Sequence, residues 1–251
     1  MIYSPRLLAL FVSLSAAALA VAKDFMPAVV YDFGGKFDRS FNQSASEGAE
    51  RFKKDTGIAF REFEVMNPAQ REQAMMQLAK RGATIIVAVG YSAGAKYVNP
   101  QVEVFENMTG TTPTAWADPT KGAELARSQF GRGADVVFHA AGQTGMGVLQ
   151  AAQDAGLLGI GCDSNQDYLH PGHVLTSAVK RVDVAVYRAF MDAKNGTWQP
   201  GRRVLGLAEG GIDYSLDEYN RALITPEMER RLNQAKADII AGKLPVPEYR
   251  P

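Results

Sequence analysis

Residues able to do chemistry gather in three stretches. The first is DFGGKFDRSFNQSASEG, residues 32–48, where two glycines end an apolar run and Asp38, Ser40, Phe41 and Asn42 stand at the start of a helical pattern. Polar groups beside an aromatic face suit a neutral, hydrogen-bonding ring ligand. The same spacing also fits Asp38 or Ser40 as a helix cap with Phe41 in the core. The second stretch is AAGQTGMG, residues 140–147, glycine-rich and centred on Gly142. It lacks both the dinucleotide spacing of glycines and a Walker lysine, so its glycines serve a tight turn or close approach of backbone to a ligand. The third pairs Asp163, in GCDSNQ, with Lys180, which ends HVLTSAVK. A carboxylate accepts hydrogen bonds from adjacent sugar hydroxyls, and an ammonium donates to the same hydroxyls or holds the carboxylate in place. A purely structural ion pair has the same two residues.

Catalytic arrangements have little support. His139, His170 and His173 are the only histidines, and HPGH has loop composition without the i, i+4 spacing of a zinc site. There is no GxSxG. Neither a catalytic residue, a metal nor a cofactor is expected.

The elements that must position these residues follow from periodicity. PAVVYDFGG (27–35), residues 58–65, TIIVAVG (84–90), 102–106, ADVVFHAAG (134–142), LLGIGCDS (157–164), HVLTSAVK (173–180) and RRVLGLAEG (202–210) read as strands. Helices fall between them. One starts at Ser40 with Phe41, Ala45, Gly48, Ala49 and Phe52 on one face, and others open at Asn67-Pro68, Asp118-Pro119 and Thr225-Pro226. A helix rich in Ala and Gly spans 145–155, and a longer one runs from Val182 towards Gly196. Such alternation predicts an α/β fold of parallel sheets with helices on both faces, its ligand loops at the C-terminal ends of the strands.

Composition narrows the class of partner. The 251 residues are 46% hydrophobic and 22% charged, with Lys+Arg 27 against Asp+Glu 27, so no surplus of positive charge exists for nucleic acid. Residues 1–22, with Arg6 before an apolar run and small residues at Ala18, Ala20 and Ala22, read as a secretory signal peptide, too short in its apolar part to span a bilayer. A periplasmic or extracellular protein follows. The single Cys162 has no intramolecular partner and reads as a buried thiol.

Taken with GAKYVNPQVEVFENMTGTTPTAWADPTKGAELARSQF, GADVVFHAAGQTGMGVLQAA and GCDSNQDYLHPGHVLTSAVKRVDVAVY, the first stretch resembles the basic membrane protein family, purine-nucleoside receptors of ABC importers. The resemblance implies a two-lobed, periplasmic-binding-protein-like fold that closes on a nucleoside and delivers it, as a monomer, to an inner-membrane permease. It implies that Phe41 stacks on the base with Asp38 and Asn42 beside it, that Gly142 is a loop contact, and that Asp163 and Lys180 hold the ribose. One departure is large. VAVGY runs directly into SAGAKYVNP, where the family has at least about 60 further residues at the size of βαβ units. An in-frame deletion at Gly90-Tyr91 accounts for this. It would truncate the N-terminal lobe and remove an acidic contact to the purine edge, a second aromatic and one interlobe strand. The expected lobes are 23–90, completed by about 197–251, and 91–196. Two other readings stay open: a secreted α/β hydrolase acting on nucleosides through Asp163 or Asp38, and a truncated remnant that binds nothing.

Overall fold

A computed structural model describes residues 27–31, 35–64, 92–199 and 203–246. The expected signal peptide, the helix after Asn67-Pro68, the strand 84–90 and the junction Gly90-Tyr91 lie outside the described residues.

Two sheets carry the fold. In the first, β1 (Ala28–Tyr31) pairs in parallel with β2 (Arg61–Glu64), Ala28 opposite Arg61 and Tyr31 opposite Glu64. The helix between them, α1 (Phe41–Thr56), ends at Gly57, whose left-handed backbone returns its N–H to the Lys53 carbonyl. A short helix, α2, covers residues 92–98. After a 3-10 turn at Pro113–Trp116 comes α3 (Pro119–Gly131), opened by the Asp118 carboxylate accepting the Lys121 N–H at 2.9 Å.

The second sheet follows from β3 (Val136–Phe138), α4 (Thr144–Asp154), β4 (Leu158–Asp163) and β5 (Val174–Lys180). Beyond α5 (Val182–Lys194) lie β6 (Ile212–Tyr214) and α6 (Pro226–Ile240). Strand order is β3-β4-β5-β6, with the first three parallel and β6 antiparallel to β5. Parallel order places the C-terminal ends of β3, β4 and β5 on one edge. Gly142, Asp163 and Lys180 sit there or in the loop just beyond it. The α/β architecture is therefore the expected one, and it delivers three candidate residues to one edge.

Each sheet has its own core. Ala123, Ala126, Val137, Val148, Ala151 and Ala152, with Phe130 against them, fill the space between α3, α4 and β3. Val29, Tyr31, Ala45 and Ala49 pack with Phe60, Val182, Val186 and Phe190, so α5 lies on α1 although it follows the second sheet. Phe52 meets Phe190 edge to face, centroids 5.3 Å apart. The helices approach closely at Gly48, where a Cβ would stand 2.1 Å from the Asp183 carbonyl oxygen. Beside it the Ser44 hydroxyl accepts the Asp183 N–H at 3.1 Å.

Two expected strands are absent from the described residues. Residues 102–106 form none: Asn99 turns the chain by accepting the Gln101 N–H on its side chain and the Val102 N–H on its carbonyl. Phe105 then serves as a platform for the Arg132 guanidinium, 3.9 Å from the ring centroid, so its apolar surface is covered by a helix end and no sheet is needed. Within 202–210, the described residues 203–210 are irregular and then turn, closed by the Gly211 N–H donating to the Gly206 carbonyl at 2.8 Å. The strand starts after that turn, at Ile212. Elsewhere the outcome is a matter of trimming, as with the expected strand 58–65, which begins at Arg61 and runs through Glu64 among the described residues.

Gly48→Ala tests the helix contact, because two effects oppose each other there. Helix propensity alone favours alanine by about 1 kcal/mol, while forcing α1 and α5 apart costs about 1–3 kcal/mol. The expected outcome is a net loss, read as a lower urea midpoint with an unchanged slope.

Candidate functional site

Four backbone N–H groups at the start of a helix need acceptors. At α1 the Asp38 carboxylate supplies them, accepting from Ser40 N (2.9 Å) and Gln43 N (3.1 Å) on Oδ1 and from Asn42 N (3.1 Å) on Oδ2. Ser40 occupies the N-cap position but makes no capping bond. Its Oγ instead donates to Asp163 Oδ2 at 2.7 Å, across 123 residues of chain. Phe41 is 49% exposed, so it is not a core residue, and it follows the buried Ser40 directly in sequence. Asn42 is buried and donates through Nδ2 to the Gly35 carbonyl at 3.2 Å, which pins the glycine end of the loop.

Across from this loop, Lys180 Nζ donates to Asp163 Oδ1 at 2.8 Å. Lys180 ends β5 and Asp163 ends β4, and the register sets Asp163 opposite Val179, one residue short of Lys180. Asp163 has a φ of 71°, in the left-handed region that a non-glycine residue adopts at a cost of roughly 1–2 kcal/mol. The other described non-glycine residue with positive φ is Arg39, at 54°. These two strained residues face one another. The Arg39 carbonyl accepts both Ser164 Oγ and Gln166 Nε2, each at 2.9 Å. Strain held at a contact between distant loops marks a place where geometry is imposed by its surroundings.

Gly142 sits at the turn from β3 to α4 with φ 54°. A Cβ there would come 3.2 Å from the Trp116 carbonyl. The loop is clamped by Thr144, whose Oγ1 donates to the Ala115 carbonyl (2.8 Å) and accepts from Asp118 N (2.7 Å). Gly142 thus shares the strand edge with Asp163 and Lys180 but belongs to a separate, rigid loop.

Burial pushes the Asp163 carboxyl up, yet Lys180, then Ser40 and His139, outweigh it and leave the group below the usual carboxylate range. Burial likewise pulls Lys180 down, and Asp163 reverses the sign, so its ammonium is held above its ordinary value. For Asp38 burial wins over the three N–H donors, assisted by repulsion from Asp163, and its carboxyl is raised. The Cys162 thiol, buried beside Asp163, is pushed up to about 12 and stays protonated.

Two residues that the motifs did not single out as ligand-binding complete the floor. Gln166 Oε1 accepts the Cys162 N–H at 2.9 Å and faces His139 Nε2 at 3.1 Å. With the Gln166 amide nitrogen committed to Arg39, His139 must be the donor in that contact, so Nε2 carries the proton. Its Nδ1 is buried with no partner. Ser40 is bonded to a carboxylate and not to an imidazole, so no serine–histidine pair arises among these residues. Among the described residues there is no group of three metal-ligating side chains. A loop and an amide lodged in the core carry no periodic signal, which is why Gln166 escapes a reading by pattern.

A family model described as Bmp, ABC transporter substrate-binding protein PnrA-like, matches residues 88–249. The chain is 38% identical over 147 residues to Basic membrane protein D of Borreliella burgdorferi (strain JD1), covering 53% of this chain and 42% of the relative. It spans about half the length of the curated relatives it matches. An uncharacterized lipoprotein of Pyrococcus abyssi aligns at 25% identity over 283 positions, 77% of this chain and 69% of its own length. Those positions outnumber the 251 residues of the whole chain. The relative therefore contains tens of residues in all with no counterpart here, consistent with a shortened form. In fold, a crystal structure of ABC transporter system solute-binding proteins from Aeropyrum pernix K1 superposes with a TM-score of 0.68 at 19% identity, over 89% of this chain and 94% of that one.

The buried His139, with Nδ1 unpartnered, provides a pH test of the floor. Burial lowers its pKa from 6.5 to about 4. An unfolded chain binds this proton below about pH 6.5 and the folded one does not, so stability falls as pH drops from 6.5 towards 4, by about 3 kcal/mol in all. His139→Asn removes that dependence. Urea unfolding at pH 7 and pH 4.5 should show a smaller acid loss for the variant than for the wild type, and equal losses would contradict the assignment.

Proposed function

Since the chain belongs to the PnrA-like family of ABC transporter substrate-binding proteins, we propose that it binds a purine nucleoside between its two sheets and presents it to a membrane permease. The observation that carries this reading is the Asp163–Lys180 pair at one strand edge, with the half-exposed Phe41 one residue from the serine that touches Asp163. A ribose diol needs an acceptor and a donor within one short span. Asp163 Oδ1 and Lys180 Nζ, 2.8 Å apart, offer both. The base stacks on the Phe41 ring, which its position at the first turn of α1 keeps out of the core. Asp38 and Asn42 act one step back, holding the helix start and its loop so that the ring is presented. Gly142 contributes backbone at the same strand edge, its missing side chain leaving room for Trp116.

The assignment to binding rather than turnover rests on the same geometry. Groups that would act as base are engaged: Asp163 by Lys180 and Ser40, Asp38 by three backbone donors. The reading continues to a protein exported by residues 1–22, acting as a monomer in the periplasm or outside the cell. For the lobes the reading keeps 23–90, completed by about 197–251, and 91–196, with two crossings between them: α5 packs on α1, and β6 pairs with β5. Shortening the chain before the second lobe leaves the ribose side intact and the base side resting on Phe41.

Calorimetric titration of the mature protein checks this. Guanosine, adenosine and inosine should bind and raise the unfolding midpoint, and uridine should not. Asp163→Ala should abolish measurable binding. Phe41→Ala should weaken it by about 1–3 kcal/mol, the worth of one base stack. Equal behaviour of all four nucleosides, or of wild type and Asp163→Ala, would refute the proposal.

A further inference from the structure

We infer that Ser40 is a positioning residue for the Asp163 carboxylate and, with the Arg39 carbonyl, forms a latch that couples the loop after β1 to the loop after β4. The inference deepens the nucleoside reading, although the latch itself is made wholly of this chain's own groups. Three direct bonds join residues 39–40 to residues 163–166: Ser40 Oγ to Asp163 Oδ2, Ser164 Oγ to the Arg39 carbonyl, and Gln166 Nε2 to the same carbonyl. Ser40 is fully buried and has no capping duty, because Asp38 already takes the helix donors. A hydroxyl at an N-cap that turns away from its own helix must be stabilised by a better acceptor. The ionised Asp163 is that acceptor.

The bond has a geometric consequence for Asp163. Lys180 fixes one carboxylate oxygen and Ser40 the other, so the plane of the group is set from both sides. The Cys162 thiol adds a weaker contact to Oδ1 at 3.6 Å, and the carboxylate as a whole keeps accepting capacity for a ligand hydroxyl. Ser40 is fully buried, so its hydroxyl serves the carboxylate and does not itself meet a ligand. A ligand entering here meets one carboxylate acceptor and one ammonium donor, in fixed orientation. The positive φ at both Arg39 and Asp163 belongs to this arrangement, since relaxing either residue would move a partner of the latch. A binding-competent arrangement that is populated in advance raises apparent affinity in proportion to that population.

The test uses hydrogen exchange on the full mature chain and a guanosine titration, for wild type, Ser40→Ala, Asp163→Asn and the double variant. Asparagine tolerates left-handed backbone, so it removes the charge without penalising the turn. If the latch holds, Ser40→Ala speeds exchange across residues 161–166, and Asp163→Asn speeds it across residues 35–43, each by about tenfold. The double variant then exchanges no faster in either loop than the faster single one. Peptides in α3 and α4 stay unchanged in all cases. Guanosine binds Ser40→Ala about tenfold more weakly than wild type. Exchange that rises only in the loop carrying the substitution would overturn the latch, since a merely structural serine has no reciprocal effect. If wild type fails to bind guanosine, the nucleoside reading falls, and the exchange data still decide the latch.

Discussion

Burying a carboxylate with its backbone in the left-handed region is unfavourable twice over, and Asp163 does both. What makes it tolerable is a pair of charge-assisted bonds drawn from opposite directions, Lys180 on one oxygen and Ser40 on the other. Neither partner is local. Lys180 requires β5 beside β4 in the right register, and Ser40 requires α1 to start against the second sheet. The contact of α5 on α1 supports the same juxtaposition, since Gly48 lets the start of α5 touch α1 directly. One carboxylate thus depends on both sheets, and the packing of the helices keeps its partners in range.

The strand ends were the legible part of this. Asp163 and Lys180 each close an apolar run, and in a parallel sheet such positions share an edge, so their pairing follows from pattern and topology together. Phe41 was legible only in part. The i, i+4 pattern that sets it with Ala45 and Phe52 points to the core, but a residue in the first helical turn has no preceding turn to cover it, and the ring remains half open. Ser40 and Asp38 show the opposite difficulty. Both have capping chemistry two residues apart, and only the long-range partner of Ser40 decides which one caps.

The misread elements fail for related reasons. Residues 102–106 are apolar enough for a strand, but a strand needs a neighbour, and the Arg132 guanidinium covers Phe105 in its place. In 202–210 the closing glycine reads as the end of a strand, whereas Gly210, with φ 66°, forms the turn from which β6 sets out. β6 is three residues long and pairs with β5 over Ala178–Lys180. A strand so short has no periodicity of its own. It exists because Lys180 and its neighbours present unpaired backbone, and it steadies the strand end that carries the lysine.

The charge of the cluster also limits what it can hold. Asp163 is ionised, Lys180 balances it, and Asp38 adds a carboxylate whose own ionisation is disfavoured by burial and by Asp163. A phosphate brought here would find one ammonium already committed and two carboxylates nearby, so its desolvation would go largely uncompensated. A hydroxyl has no such penalty: it donates to a fixed acceptor and accepts from the lysine without displacing either from the other. The lysine side chain is 39% exposed while the aspartate side chain is 11%, so the donor lies towards solvent and the acceptor behind it. That order favours a neutral polyol, which can enter past the ammonium and leave again without breaking the ion pair on which the carboxylate depends.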